Sequence, residues 1–126
     1  MILLDTSALV DSLTGARRSA TALLGAIDRG ERIVIPALVL YEWLRGPRLE
    51  EELLDQQNLF PSESTTPFGP EEAAIAARLY RRIPRPRGRE LDVAIAACAM
   101  AQNAILWTLN MRDFEDVPGL TVSKPE

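Results

Sequence analysis

Histidine does not occur anywhere in the 126 residues. Its absence removes imidazole general acid–base catalysis, Ser-His-Asp and Cys-His triads, and histidine-rich zinc sites. Cysteine occurs once, at Cys98, so no internal disulfide can form and a reduced cytoplasm is the expected compartment. Zinc is thereby left without its usual ligands, and oxygen donors from Asp and Glu favour Mg²⁺ or Mn²⁺ instead. Lysine also occurs once, at Lys124, against thirteen arginines. Arginine grips phosphate bidentately, although heavy arginine usage can equally reflect genome composition. No apolar run approaches the roughly 18 residues of a membrane helix. No basic segment precedes the apolar N-terminal stretch, so a signal peptide is not expected either. There is no glycine-rich phosphate loop, no repeat and no low-complexity tract.

What remains is a mixed, moderately acidic chain with 47% hydrophobic residues and a net charge of −4. That content and length fit one domain over residues 1–126 with one packed core, and argue against disorder. Residues 1–4 read as a short buried strand. Asp5, Thr6 and Ser7 are N-cap types that start a helix. A second helix is expected from Ala16 to Arg29, stopped by Gly30. Ile33-Val34-Ile35 is β-branched, and Pro36 suits the first turn of a following helix. Further helices are expected over Leu49–Asn58, from Pro70 to about Ile83, and over Glu90–Gln102. Strands are expected at Ala104–Trp107 and Leu120–Val122. Strands alternating with helices predict a mainly parallel sheet covered on both faces, a three-layer α/β/α domain. In such sheets ligands gather beyond the carboxyl ends of the strands.

Four acidic residues fall where such a fold would gather them. Asp5 ends the first strand. Glu42 interrupts the apolar stretch Ala37–Leu44. Asp92 opens the alanine-rich stretch Val93–Ala101. Asp113 lies in the turn after the strand at Ala104–Trp107. Each has an ordinary reading: Asp5 as a helix cap, Glu42 as a solvated helix position, Asp92 as a partner of the helix dipole, Asp113 as a turn former. Taken together, gathered carboxylates without cationic partners repel one another, and a hard divalent cation best explains such a pocket. Metal-assisted phosphodiester chemistry follows as the leading expectation.

The motifs Ile2-Leu3-Leu4-Asp5-Thr6-Ser7-Ala8, Tyr41-Glu42-Trp43-Leu44-Arg45-Gly46, Leu91-Asp92-Val93-Ala94-Ile95-Ala96 and Thr108-Leu109-Asn110-Met111-Arg112-Asp113-Phe114, followed by Val117-Pro118-Gly119-Leu120, resemble the PIN domain. Within it they look most like VapC-type toxins of bacterial toxin–antitoxin pairs. The resemblance implies a Mg²⁺- or Mn²⁺-dependent endoribonuclease, usually dimeric and held inactive by a VapB-like antitoxin. It implies Asp5, Glu42, Asp92 and Asp113 as metal-holding catalytic acids, with Thr6 and Asn110 as polar support. Asn110 stands where many relatives carry Asp and brings no charge.

A second feature is the crowding of Arg78, Arg81, Arg82, Arg85, Arg87 and Arg89 into twelve residues before Asp92. An acidic protein that cuts RNA needs a local positive patch, and Arg82, Arg85, Arg87 and Arg89 are the candidates for it. A solvated helix face and loop is the plainer reading. Trp43 and Leu44, beside Glu42, are expected at the surface as a docking site for a partner's helix. Two rival readings are a PIN-fold module that binds nucleic acid with weakened catalysis, and a receiver-like signalling domain. The second normally needs a lysine in its acidic pocket, and Lys124 sits two residues from the C-terminus.

Overall fold

A computed structural model describes all of residues 1–126. Four strands and six α-helices follow one another as β1 (Ile2–Leu4), α1 (Thr6–Leu13), α2 (Ala20–Asp28), β2 (Ile33–Val34), α3 (Ala37–Arg45), α4 (Glu50–Leu59), α5 (Pro70–Arg82), α6 (Glu90–Ala101), β3 (Ile105–Trp107) and β4 (Val122–Ser123). Short 3₁₀ turns lie at Ser62–Ser64 and Met111–Asp113. All strand pairs are parallel, in the order β2-β1-β3-β4. Ile2, Leu3 and Leu4 are all buried, the mark of a strand covered on both faces.

The strand order places the site. From β1 the chain moves to β2 on one side, then returns past β1 to β3 on the other. Right-handed crossovers running in opposite directions send helices to opposite faces, and the crevice opens where the direction reverses. That point is the carboxyl end of β1 and β3. Leu4 pairs with Trp107, so the next residues, Asp5 and Thr108, leave the sheet side by side. The Asp5 N–H donates to the Trp107 carbonyl at 3.0 Å and carries the pairing one residue further.

The core is one cluster of 26 buried apolar residues. Helix α6 contributes Val93, Ile95, Ala96, Ala97, Cys98 and Ala99, and its small side chains let it pack closely on α5, α3 and β3. Cys98 is thus a buried filler whose thiol is pushed up to about 12 by burial. No helix is long and apolar enough to cross a membrane.

Three expectations change. The second helix starts at Ala20 instead of Ala16, because Gly15 and Arg17 both adopt left-handed backbone, with φ of 58° and 51°, and break the turn before it. The last strand is Val122–Ser123, two residues later than expected at its start. Trp43 is 0% exposed and packs into the core; only Leu44 of that pair is at the surface. Helix α3 is therefore amphipathic, with Val39 and Trp43 inward, a periodicity that the nearly all-apolar stretch concealed.

Candidate active site

Asp5 is 5% exposed and caps α1, its Oδ1 accepting from the Ala8 N–H at 2.9 Å and the Ser7 hydroxyl at 2.7 Å. Its Oδ2 accepts from the Thr108 hydroxyl at 2.5 Å. Thr108, itself 0% exposed, accepts from the Asn110 N–H at 2.9 Å, and Ser7 accepts from the Leu109 N–H at 3.0 Å. Capping leaves room for a further role: a carboxylate offers about four lone-pair positions, and three are used here. Burial raises the Asp5 carboxyl, these three donors oppose the rise, and the Glu42 charge adds to it. Thr108→Val should strand the buried Oδ2 and cost about 1–3 kcal/mol in urea unfolding, whereas Thr108→Ser should keep most of the stability. Wild-type stability in Thr108→Val would show that the network adds nothing.

The other acids come from distant segments. Glu42, on α3, accepts from the Thr6 hydroxyl at 2.5 Å and pairs with Arg45 at 3.4 Å. Asp92 lies in the first turn of α6, half-buried, and burial raises its carboxyl first; the charges of Asp113, Asp5 and Glu42 raise it further, with Arg89 opposing. Asp5, Glu42 and Asp92 line one cavity of about 590 Å³ together with Thr6, Ser7 and Asn110. Asp113 does not line it. It sits exposed on the 3₁₀ turn beyond, where its charge reaches Asp92.

No three carboxylates converge as a complete set of direct ligands. A cation such as Mg²⁺, which keeps several waters and takes one or two carboxylates, does not require such a set. Asp5 has one acceptor position left, and no hydrogen bond figures among the influences on Asp92, so the donor set fits a hydrated divalent ion. The cavity has no lysine in its lining, which disfavours the receiver-like alternative.

A family model for the PIN domain matches residues 2–120. The chain belongs to the PIN domain family. Among curated PIN-type relatives, the ribonuclease VapC19 of Mycobacterium tuberculosis is 38% identical over 123 residues, covering 95% of this chain and 97% of its own. The PIN architecture recurs in solved structures at lower identity. One is the VapBC2 complex of Rickettsia felis bound to a promoter DNA fragment, at TM-score 0.76 and 21% identity over 100% of both chains. Another is a toxin–antitoxin complex from Klebsiella pneumoniae, at 0.75 and 24%, covering 100% of this chain and 98% of that one. These two share the fold. The three-layer α/β arrangement expected from the alternating elements is thus the PIN fold.

On the PIN scaffold, the arginines sort differently from their crowding in sequence. None of Arg82, Arg85, Arg87 and Arg89 lines the cavity. Arg82, Arg85 and Arg87 are exposed, but Arg89 is bound to the 113–116 loop and is not a free phosphate ligand. The cavity's own cation is Arg18, 80% exposed and 3.3 Å from Asp11 across the α1–α2 turn. Ser7, Thr108 and Arg18 make contacts at or beside the cavity that the sequence pattern did not assign, and Arg89, a candidate for phosphate, is paired with Asp116. Ser7 and Thr108 were within the quoted motifs, but only strand register shows that they share one carboxylate.

Proposed function

We propose that residues 1–126 act as one PIN-type endoribonuclease unit of the VapC kind, the toxin of a toxin–antitoxin pair. The convergence of Asp5, Glu42 and Asp92 on one cavity, with the Asp113 charge acting on Asp92, carries this reading. The relationship to the M. tuberculosis ribonuclease supports it. Asp5 and Asp92 would hold a divalent cation, Mg²⁺ or Mn²⁺, with Glu42 and Asp113 acting directly or through water. Such a cation supplies charge against the negative transition state of phosphodiester cleavage and acidifies a nucleophilic water.

The chain's own residues do the rest. Thr108 and Ser7 fix the direction of Asp5, and Thr6 fixes Glu42. Asn110, beside them in the cavity wall, offers an uncharged carbonyl and amide to substrate or water. Arg18 at the cavity, and exposed Arg82, Arg85 and Arg87 farther off, provide positive charge that an acidic protein needs to hold RNA. A VapB-like antitoxin and a second copy of the chain are the expected partners. Leu24, Tyr41, Leu44, Leu49 and Leu54, each more than half exposed, give them apolar surface.

The test is cleavage of single-stranded RNA by the purified chain. Cutting is expected with Mg²⁺ or Mn²⁺ and is expected to stop with EDTA. RNA binding without cleavage under any divalent ion would favour the weakened binding module instead.

A further inference from the structure

Asp5 and Glu42 are held by hydroxyl groups, but Asp92 and Asp113 have no such support. Their placement relative to each other depends on how the 110–116 loop sits against the start of α6. The side-chain hydrogen bonds that join that loop to the entry of α6 all come from Arg89, the residue just before it. Both Nη atoms of Arg89 donate to the Asp116 carboxylate, at 2.9 and 2.7 Å. Nη2 also donates to the Asp113 carbonyl at 2.9 Å, and Nη1 to the Pro84 carbonyl at 3.3 Å. The side chains of Arg89 and Asp116 are only 22% and 33% exposed. A two-pronged guanidinium–carboxylate pair of this kind is directional as well as strong.

We propose that Arg89 is a positioning residue for the reaction, clamping the Asp113 loop to the start of α6 so that the Asp113 charge stays close to Asp92 at the rim of the cavity. The proposal rests on the nuclease reading of the four acids. Without the clamp, repulsion between Asp92 and Asp113 loosens the exposed 3₁₀ turn, because no ion pair reaches the Asp113 carboxylate. Arg89 offsets that repulsion and fixes the backbone of Asp113 at the same time. The Asp116 hydrogen bond raises the basicity of Arg89, and the Arg89 bond lowers the Asp116 carboxyl, both consistent with a lasting ion pair. Committed in this way, Arg89 leaves RNA phosphates to other arginines.

Charge and geometry make opposite forecasts here. If Arg89 acted only through its charge, Arg89→Ala would make the site more negative and tighten a divalent cation, whereas Asp116→Asn would loosen it slightly. A phosphate-binding Arg89 would be freed by Asp116→Asn, which would then bind RNA as well as wild type or better, and Arg89→Lys would retain most function. The clamp predicts that Arg89→Ala, Arg89→Lys and Asp116→Asn all behave alike.

The experiment measures Mn²⁺ binding to the substrate-free full chain by electron paramagnetic resonance. It also measures kcat and KM for RNA cleavage, all well below the melting range of each variant. Each of the three variants should weaken Mn²⁺ binding by roughly tenfold or more and lower kcat more than it changes KM. The double variant Arg89→Ala/Asp116→Asn should be no worse than either single one, since both remove the same contact. Tighter Mn²⁺ binding in Arg89→Ala, wild-type behaviour of Asp116→Asn, or a loss of melting temperature alone would each overturn the proposal. Failure of the wild-type chain to cleave RNA while Mn²⁺ binding still depends on the clamp would overturn the nuclease reading and leave the clamp standing. Failure of wild type to bind Mn²⁺ would overturn both.

Discussion

Asp92→Asn should reduce RNA cleavage by at least about a hundredfold while the chain stays folded. Asp92 is half-buried, lines the cavity beside Asp5 and Glu42, and its carboxyl feels three other acids. Asparagine keeps the shape and one carbonyl oxygen but removes the charge that a hard cation requires. Since the Asp92 carboxylate enters no salt bridge and no side-chain hydrogen bond, the substitution should break no internal contact. Asp5→Asn should be as inactive but less stable, because its amide cannot accept from both Thr108 and the Ser7–Ala8 pair as the carboxylate does. Steady-state cleavage assays with circular dichroism on the same samples check both statements. Wild-type turnover in Asp92→Asn would remove that residue from the machinery.

Trp43→Ala should cost about 3–5 kcal/mol, a large part of the roughly 5–15 kcal/mol that holds a typical domain together. Trp43 is wholly buried, and the Arg48 guanidinium lies 4.2 Å from its ring centroid. The Arg48 Nε–H donates to the Trp43 carbonyl at 2.9 Å and closes the end of α3. Since Glu42 is the preceding residue, the same anchor sets the helix that presents this acid to the cavity. Leu44→Ala, one position on and exposed, should change stability by no more than about 0.5 kcal/mol. Urea unfolding of the two variants separates them. Equal tolerance would mean that Trp43 is not the anchor of α3. Trp43→Phe should lose less than Trp43→Ala, because the indole N–H is buried without a partner and its removal costs nothing in hydrogen bonding.

The contrast between Trp43 and Leu44 also shows where sequence reading stops. In a stretch that is nearly all apolar, no polar stripe marks the outer face, so burial had to come from packing. Asp5 was legible because it ends an apolar run and begins a helix, two local signals that coincide with a strand end. Thr108 carried no such signal; its role depends on the Leu4–Trp107 register, which joins residues far apart in the chain. The pairing of Arg89 was hidden for a similar reason. It ends a stretch dense in arginine, whereas its partner, Asp116, lies in the loop after β3. Elements with strong local signals, such as α5 behind Pro70 with its acidic first turn, fell within a residue or two of expectation. The start of α2 did not, since a left-handed non-glycine residue such as Arg17 leaves no trace in hydrophobic periodicity.

Whether the cavity acids share one divalent cation, as proposed, is tested without substrate by a thermal-shift titration with Mg²⁺ at fixed ionic strength. The Asp92 carboxyl is raised in the folded state, so its ionisation costs stability at neutral pH, and that cost is relieved as pH falls through the raised value. Metal-free Asp92→Asn should therefore melt no lower than metal-free wild type. With about 10 mM Mg²⁺ and a dissociation constant near 1 mM, mass action should stabilise wild type by roughly 1.4 kcal/mol, or about 3–6 °C, and Asp92→Asn much less. An equal Mg²⁺ response in the two proteins would contradict the account.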